Sequence, residues 1–153
     1  MAASGSYAHL SSAASHVCLP FDPDIGPVSK TPFVSSLYGT EYEEKSFGTK
    51  LLYEDMPCAV CRANHKTSLL MIPGRSHCYD GWSEQYSGNL AGGFHDHRAA
   101  VDYLCVDEDS DTIIGGVAHE AGSFIYPVRA YCGILKCPPY DHSTLLKCVV
   151  CTK

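Results

Sequence analysis

The chain has 153 residues, a formal net charge of −6 and a charged fraction of only 18%, below the roughly 25% of an average soluble protein. With no basic cluster it is not expected to bind nucleic acid or anionic membrane surfaces, and no apolar run approaches the roughly 20 residues of a spanning helix. Nine cysteines alongside thirteen glycines and nine prolines point instead to a turn-rich, disulfide-tied protein of an oxidising compartment, secreted and extracellular.

Along the chain, short apolar stretches alternate with turn signals, the pattern of a β-rich domain. Residues 1–15 are small and polar, either a packed glycine/alanine strand or a frayed terminus. Strands are expected over 16–19, 33–38, 58–63, 68–72, 103–106, 123–128 and 145–151. Pro20, Pro23, Gly26-Pro27, Pro73-Gly74, Gly92-Gly93, Gly115-Gly116 and Pro138-Pro139 separate them. Residues 51–55 and 98–104 are the better helix-forming stretches, and both are short. The expected fold is mostly β with little helix, a single compact disulfide-rich domain of two pseudo-symmetric duplicated halves, 1–73 and 74–153.

The duplication is read from the cysteines. Cys105 follows Cys18 by 87 positions, Tyr126 follows Tyr38 by 88, and Cys148 and Cys151 follow Cys58 and Cys61 by 90. The text around these anchors matches as well: Cys58-Ala-Val-Cys61 resembles Cys148-Val-Val-Cys151. The second copy carries Arg75-Ser-His-Cys78 ahead of its alanine-glycine stretch, and the first has no counterpart. A complete first copy would then hold one more cysteine upstream. The chain reads as a fragment of a longer product, or one numbered from an internal residue, with the leftover thiol in the first half. Met1 is not followed by a charged, apolar secretion signal.

A C-x-x-C inside a strand points its two side chains to opposite faces. Cys58 and Cys61 should therefore bond different partners rather than each other. In the second copy Cys148 and Cys151 take Cys78 and Cys105, in either order. In the first, Cys18 takes Cys58 or Cys61 and the other is left over. Cys132 and Cys137 flank a short loop and bridge each other. Two C-x-x-C pairs also suit zinc, but here they lie 90 residues apart between β-branched residues.

Few constellations suggest chemistry. His95-Asp-His97, with His9 or His119, is a candidate transition-metal site, weighed against a polar turn. Asp107, Asp109 and Asp111 place carboxylates at alternate positions, which suits calcium, weighed against a solvated acidic turn. Calcium is the one cofactor considered. No G-x-S-x-G elbow is present, no other catalytic set stands out, and no enzyme is expected. Tyr79, Trp82, Tyr86 and Tyr140 are candidate ligand or interface aromatics, because such rings combine apolar area with a polar tip.

Several longer motifs resemble a known family. Pro57-Cys-Ala-Val-Cys61, Leu70-Met-Ile-Pro73, Cys78-Tyr-Asp-Gly-Trp82, Tyr86-Ser-Gly88 and Cys137-Pro-Pro-Tyr140 through Cys148-Val-Val-Cys-Thr-Lys153 are similar to the C-terminal non-collagenous domain of short-chain, spongin-type collagens of marine invertebrates. The resemblance covers nearly the whole chain, although no Gly-X-Y repeat is present and no triple helix follows from this sequence. It implies an extracellular, matrix-associated structural module without catalytic residues, self-associating into a homo-oligomer or fibre, with matrix proteins or glycans as further partners. The alternative is a secreted carbohydrate-binding lectin, calcium-assisted.

Overall fold

The computed structural model describes residues 1–115 and 122–153. Among these residues eight strands follow one another: β1 (Ala2–Ser4), β2 (Val17–Cys18), β3 (Tyr38–Tyr42), β4 (Leu69–Pro73), β5 (Ser83–Gly92), β6 (Leu104–Asp107), β7 (Ser123–Pro127) and β8 (Lys147–Thr152). One turn of 3₁₀ helix, Lys45–Phe47, is the sole helical element among the described residues. The fold is mostly β, compact and tied by four disulfides. Neither residues 51–55 nor 98–104 form a helix; a few helix-forming residues cannot offset the cost of nucleation in a chain so rich in breakers.

The sheet runs β2-β1-β3-β7-β5-β8-β4, with β6 on the other side of β5. β5 is its hub. Ser83 to Asn89 pair antiparallel with β8, Gly88 to Ala91 with β6, and Ala91 and Gly92 with β7. β3 and β7 pair in parallel through Thr40↔Ser123, Glu41↔Phe124 and Tyr42↔Ile125, which joins the N-terminal strands to the rest. β8 lies between β4 and β5. Cys148, Val149, Val150, Cys151 and Thr152 are all buried, so both faces of this strand are covered and its sequence carries no apolar/polar alternation. β4 precedes the expected boundary at Pro73, yet it is paired along its length with β8.

The core gathers Ala2, Tyr42, Phe47, Leu51, Met56, Ala91, Val106 and Ile125. Ile125 has no exposed surface, and burying such a side chain contributes roughly 2–3 kcal/mol.

Similar backbone contacts recur at offsets of 87 to 90 positions. Ala2↔Cys18 and Ala3↔Val17 in β1–β2 match Leu90↔Cys105 and Ala91↔Leu104 in β5–β6. Ala3↔Gly39 and Ser4↔Tyr38 match Ala91↔Pro127 and Gly92↔Tyr126. The amides of Ala2 and Met56 donate to Met56 O and Thr40 O; those of Leu90 and Leu146 donate to Leu146 O and Val128 O, each at 2.9 Å. Cys18–Cys58 and Cys105–Cys148 then cross-link corresponding positions, with Cα atoms 5.3 and 5.7 Å apart.

Three expectations need correction. Residues 58–63 form no strand; no described strand pairs with them, and a lone strand leaves its amides and carbonyls without a ladder. Residues 33–37 lie outside β3, which begins at Tyr38. β5 appears where no strand was assigned, since neighbouring strands, rather than its own weak patterning, hold it; of the two readings of residues 1–15, the packed strand is the one found, at Ala2–Ser4.

Candidate functional site

The remaining bridges are Cys78–Cys151 and Cys132–Cys137. Of the two orders left open, Cys148 takes Cys105 and Cys151 takes Cys78. Three positions apart on β8, they reach partners on opposite faces. Cys61 is free and exposed.

A cleft of about 570 Å³ is lined by His16, Tyr42, Met56, Tyr86, Cys105 and the acidic turn. Tyr86 donates its hydroxyl to Cys105 O at 3.2 Å, and Tyr42 donates to Asp111 O at 3.4 Å. Burial pushes the pKa of both phenols up, and the nearby carboxylate of Asp107 adds to this in each case. Both therefore remain hydrogen-bond donors at neutral pH. His16 lines the same cleft with its Nε2 buried and unpartnered; burial holds its pKa below the usual value, against the opposing pull of Asp102.

The acidic turn is built on Asp107. Its Oδ1 accepts the Asp109 amide at 3.0 Å, and its carbonyl accepts the Ser110 hydroxyl at 2.6 Å. One of the three alternate carboxylates is thus engaged with the backbone of its own turn. Asp109 and Asp111 line the cleft beside it. Among the described residues no group of three or more His, Cys, Asp or Glu side chains is arranged to hold a metal ion.

His95 and His97 have different surroundings. His97 sits in an aromatic cluster, its ring 4.6 Å from Tyr7, 5.4 Å from Phe94 and 5.7 Å from Tyr126. Burial lowers its pKa, opposed by Asp96. In the same cluster Tyr126 is pushed up to about 12, chiefly by burial and then by Glu43. His95 is exposed, 3.7 Å from the Asp96 carboxylate. His9 lies edge-on to Tyr38 at 6.2 Å, and His119 lies outside the described residues.

Two of the four singled-out aromatics line one groove. Tyr79 and Tyr140 share a groove of about 550 Å³ with Arg75, whose guanidinium lies 4.3 Å above the Tyr79 ring. Gly74 turns the chain beside this groove with a φ of +78°, which favours glycine, and the Tyr140 ring stands at ordinary contact distance, 3.5 Å, from where a Cβ would be. Tyr86 faces the other cleft, and Trp82 lies near Lys153, whose Nζ is 6.0 Å from the indole. Sequence reasoning missed Tyr42 and His16 as cleft residues. Nothing in their local text marks them; the parallel β3–β7 pairing and the β1–β2 hairpin bring them there.

No family model, curated protein or solved structure matches this chain. No helix among the described residues is long and apolar enough to cross a membrane, and four disulfides on a β scaffold are consistent with a secreted protein.

Proposed function

We propose that the chain is a non-enzymatic extracellular structural module that associates with copies of itself in a matrix or fibre, as its resemblance to short-chain collagen C-terminal domains implies. One observation carries this reading. The segment between β2 and β3 presents Phe21, Ile25, Val28 and Phe33 to solvent at 84–91% exposure, on a body cross-linked by four disulfides. Large exposed apolar surface on a rigid secreted scaffold marks a contact surface. Light scattering over a concentration series tests it: mass should rise with concentration and fall back when Phe21 and Phe33 are replaced by Ser. A mass that stays monomeric at every concentration removes the reading.

A second reading, a calcium-assisted carbohydrate-binding lectin, is favoured by the cleft that sets Tyr42 and Tyr86 beside Asp107, Asp109 and Asp111. A glycan array run with and without chelator separates the two, and no sugar retained in either condition eliminates the lectin.

A further inference from the structure

Corresponding segments of the two halves have opposite surroundings. By the recurrent register, residues 57–62 (Pro-Cys-Ala-Val-Cys-Arg) correspond to β8, 147–152 (Lys-Cys-Val-Val-Cys-Thr). Val150 is 8% exposed between β4 and β5, whereas Val60 is 88% exposed. Cys151 is bonded to Cys78, whereas Cys61 is exposed and free. The segment is nonetheless held at the matching point, since Cys58 is bridged to Cys18 as Cys148 is to Cys105.

β8 shows what such a segment takes. The part of β5 that covers it, Ser83 to Asn89, runs straight on into Leu90 and Ala91, which correspond to Ala2 and Ala3. The matching strand for residues 57–62 would therefore lie in line with β1. Its cysteine would stand a few residues ahead of the paired stretch, as Cys78 precedes Ser83.

We propose that residues 57–62 form an acceptor edge for an extended peptide with the pattern of residues 78–89, which adds as an antiparallel strand and joins Cys61 through a disulfide. The main-chain ladder supplies affinity and the thiol supplies permanence. Bonding proceeds by exchange. The Cys61 thiolate attacks the peptide sulfur of a mixed disulfide, the new Sγ–Sγ bond forms, and a small thiol leaves and takes up the proton that Cys61 released. No net oxidation is required. This inference stands whether or not the matrix reading holds.

The probe is a synthetic peptide of residues 78–89, supplied as its mixed disulfide with a small thiol, beside a scrambled peptide that keeps the cysteine in place. Mass spectrometry reads capture at Cys61, and hydrogen exchange reads the amides of residues 59–62. The native-order peptide should be captured about tenfold faster than the scrambled one, through the raised local concentration that docking gives, and it should protect those amides. Val60→Pro, which removes a ladder donor at an exposed site, should abolish the rate difference. Cys61→Ser should abolish covalent capture and leave the amide protection. Equal rates for the two peptides overturn the proposal. So does a Cys61–Cys61 homodimer that forms at the same rate with or without the peptide, because the edge would then take a second copy of itself.

Discussion

Tyr53 and Ser143, 90 positions apart, each sit in a turn with positive φ, 64° and 65°. Each donates its amide back across the turn, Tyr53 to Tyr42 O at 2.7 Å and Ser143 to Ala130 O at 2.8 Å. Two unrelated side chains thus occupy a left-handed turn that neither favours. The turn is imposed by the ladder it closes, and its cost is borne twice.

That cost is measurable at Ser143, which is exposed. A left-handed residue other than glycine is disfavoured by roughly 1 kcal/mol. Ser143→Gly is expected to stabilise the fold by up to about 1 kcal/mol, and Ser143→Val to destabilise it by about 1–2 kcal/mol. Urea unfolding midpoints for the three proteins should fall in the order Gly, Ser, Val.

The bridges should differ in worth by the loops they close. Cys105–Cys148 spans 43 positions and Cys132–Cys137 spans five. The chain-entropy relation gives roughly 4 kcal/mol for the first and 2 kcal/mol for the second. Replacing Cys105 and Cys148 by Ser should lower the calorimetric midpoint well below that of the Cys132/Cys137 double variant; equal midpoints would contradict this ranking.

Gly88 lies where β5 meets both β6 and β8. A Cβ there would run into the Val106 carbonyl and the Glu108 amide, both backbone. Backbone in a paired strand has little room to yield, so Gly88→Ala should cost about 3 kcal/mol, the upper end for overpacking. Gly133→Ala is a fitting control, with nothing near its Cβ position. Its φ of +150° makes the substitution somewhat strained, yet its loss in a denaturant titration should be the smaller of the two.

His16 and His97 both have folded-state pKa values below the usual 6.5, chiefly through burial. The unfolded chain then binds more protons than the folded one as pH falls below 6.5. Their contribution is complete above that pH and is lost as pH falls through the lowered values. Thermal midpoints should decline on going from pH 8 to pH 5, and His16→Gln should flatten the decline. A wild-type midpoint that rises over this interval would refute the assignment.

Part of the molecule was legible from the text because covalent geometry constrains it tightly. The C-x-x-C spacing on a strand dictates different partners for Cys148 and Cys151, and offsets of 87 to 90 positions align Cys18 with Cys105 and Cys58 with Cys148. β5 was not legible: Ser83-Glu-Gln-Tyr-Ser-Gly-Asn carries almost no apolar alternation, and it becomes a strand because β8 and β6 flank it. Residues 58–63 erred the other way. Their text matches β8, but a strand needs a neighbour as well as a pattern. The groove shared by Tyr79 and Tyr140 was hidden because some 60 positions separate residues that only the β4–β8 pairing and its flanking turns bring together.

The map of the bridges also determines how the molecule comes apart. Cys18–Cys58 closes one loop, and Cys105–Cys148 lies inside the loop closed by Cys78–Cys151. A protease nick within either region leaves the fragments covalently joined. Between Cys58 and Cys78 no bridge crosses, and Arg62, Lys66 and Arg75 stand exposed there. A single tryptic cut in that stretch would release two pieces held by noncovalent contacts alone, among them the short parallel ladder of Thr40 to Tyr42 against Ser123 to Ile125.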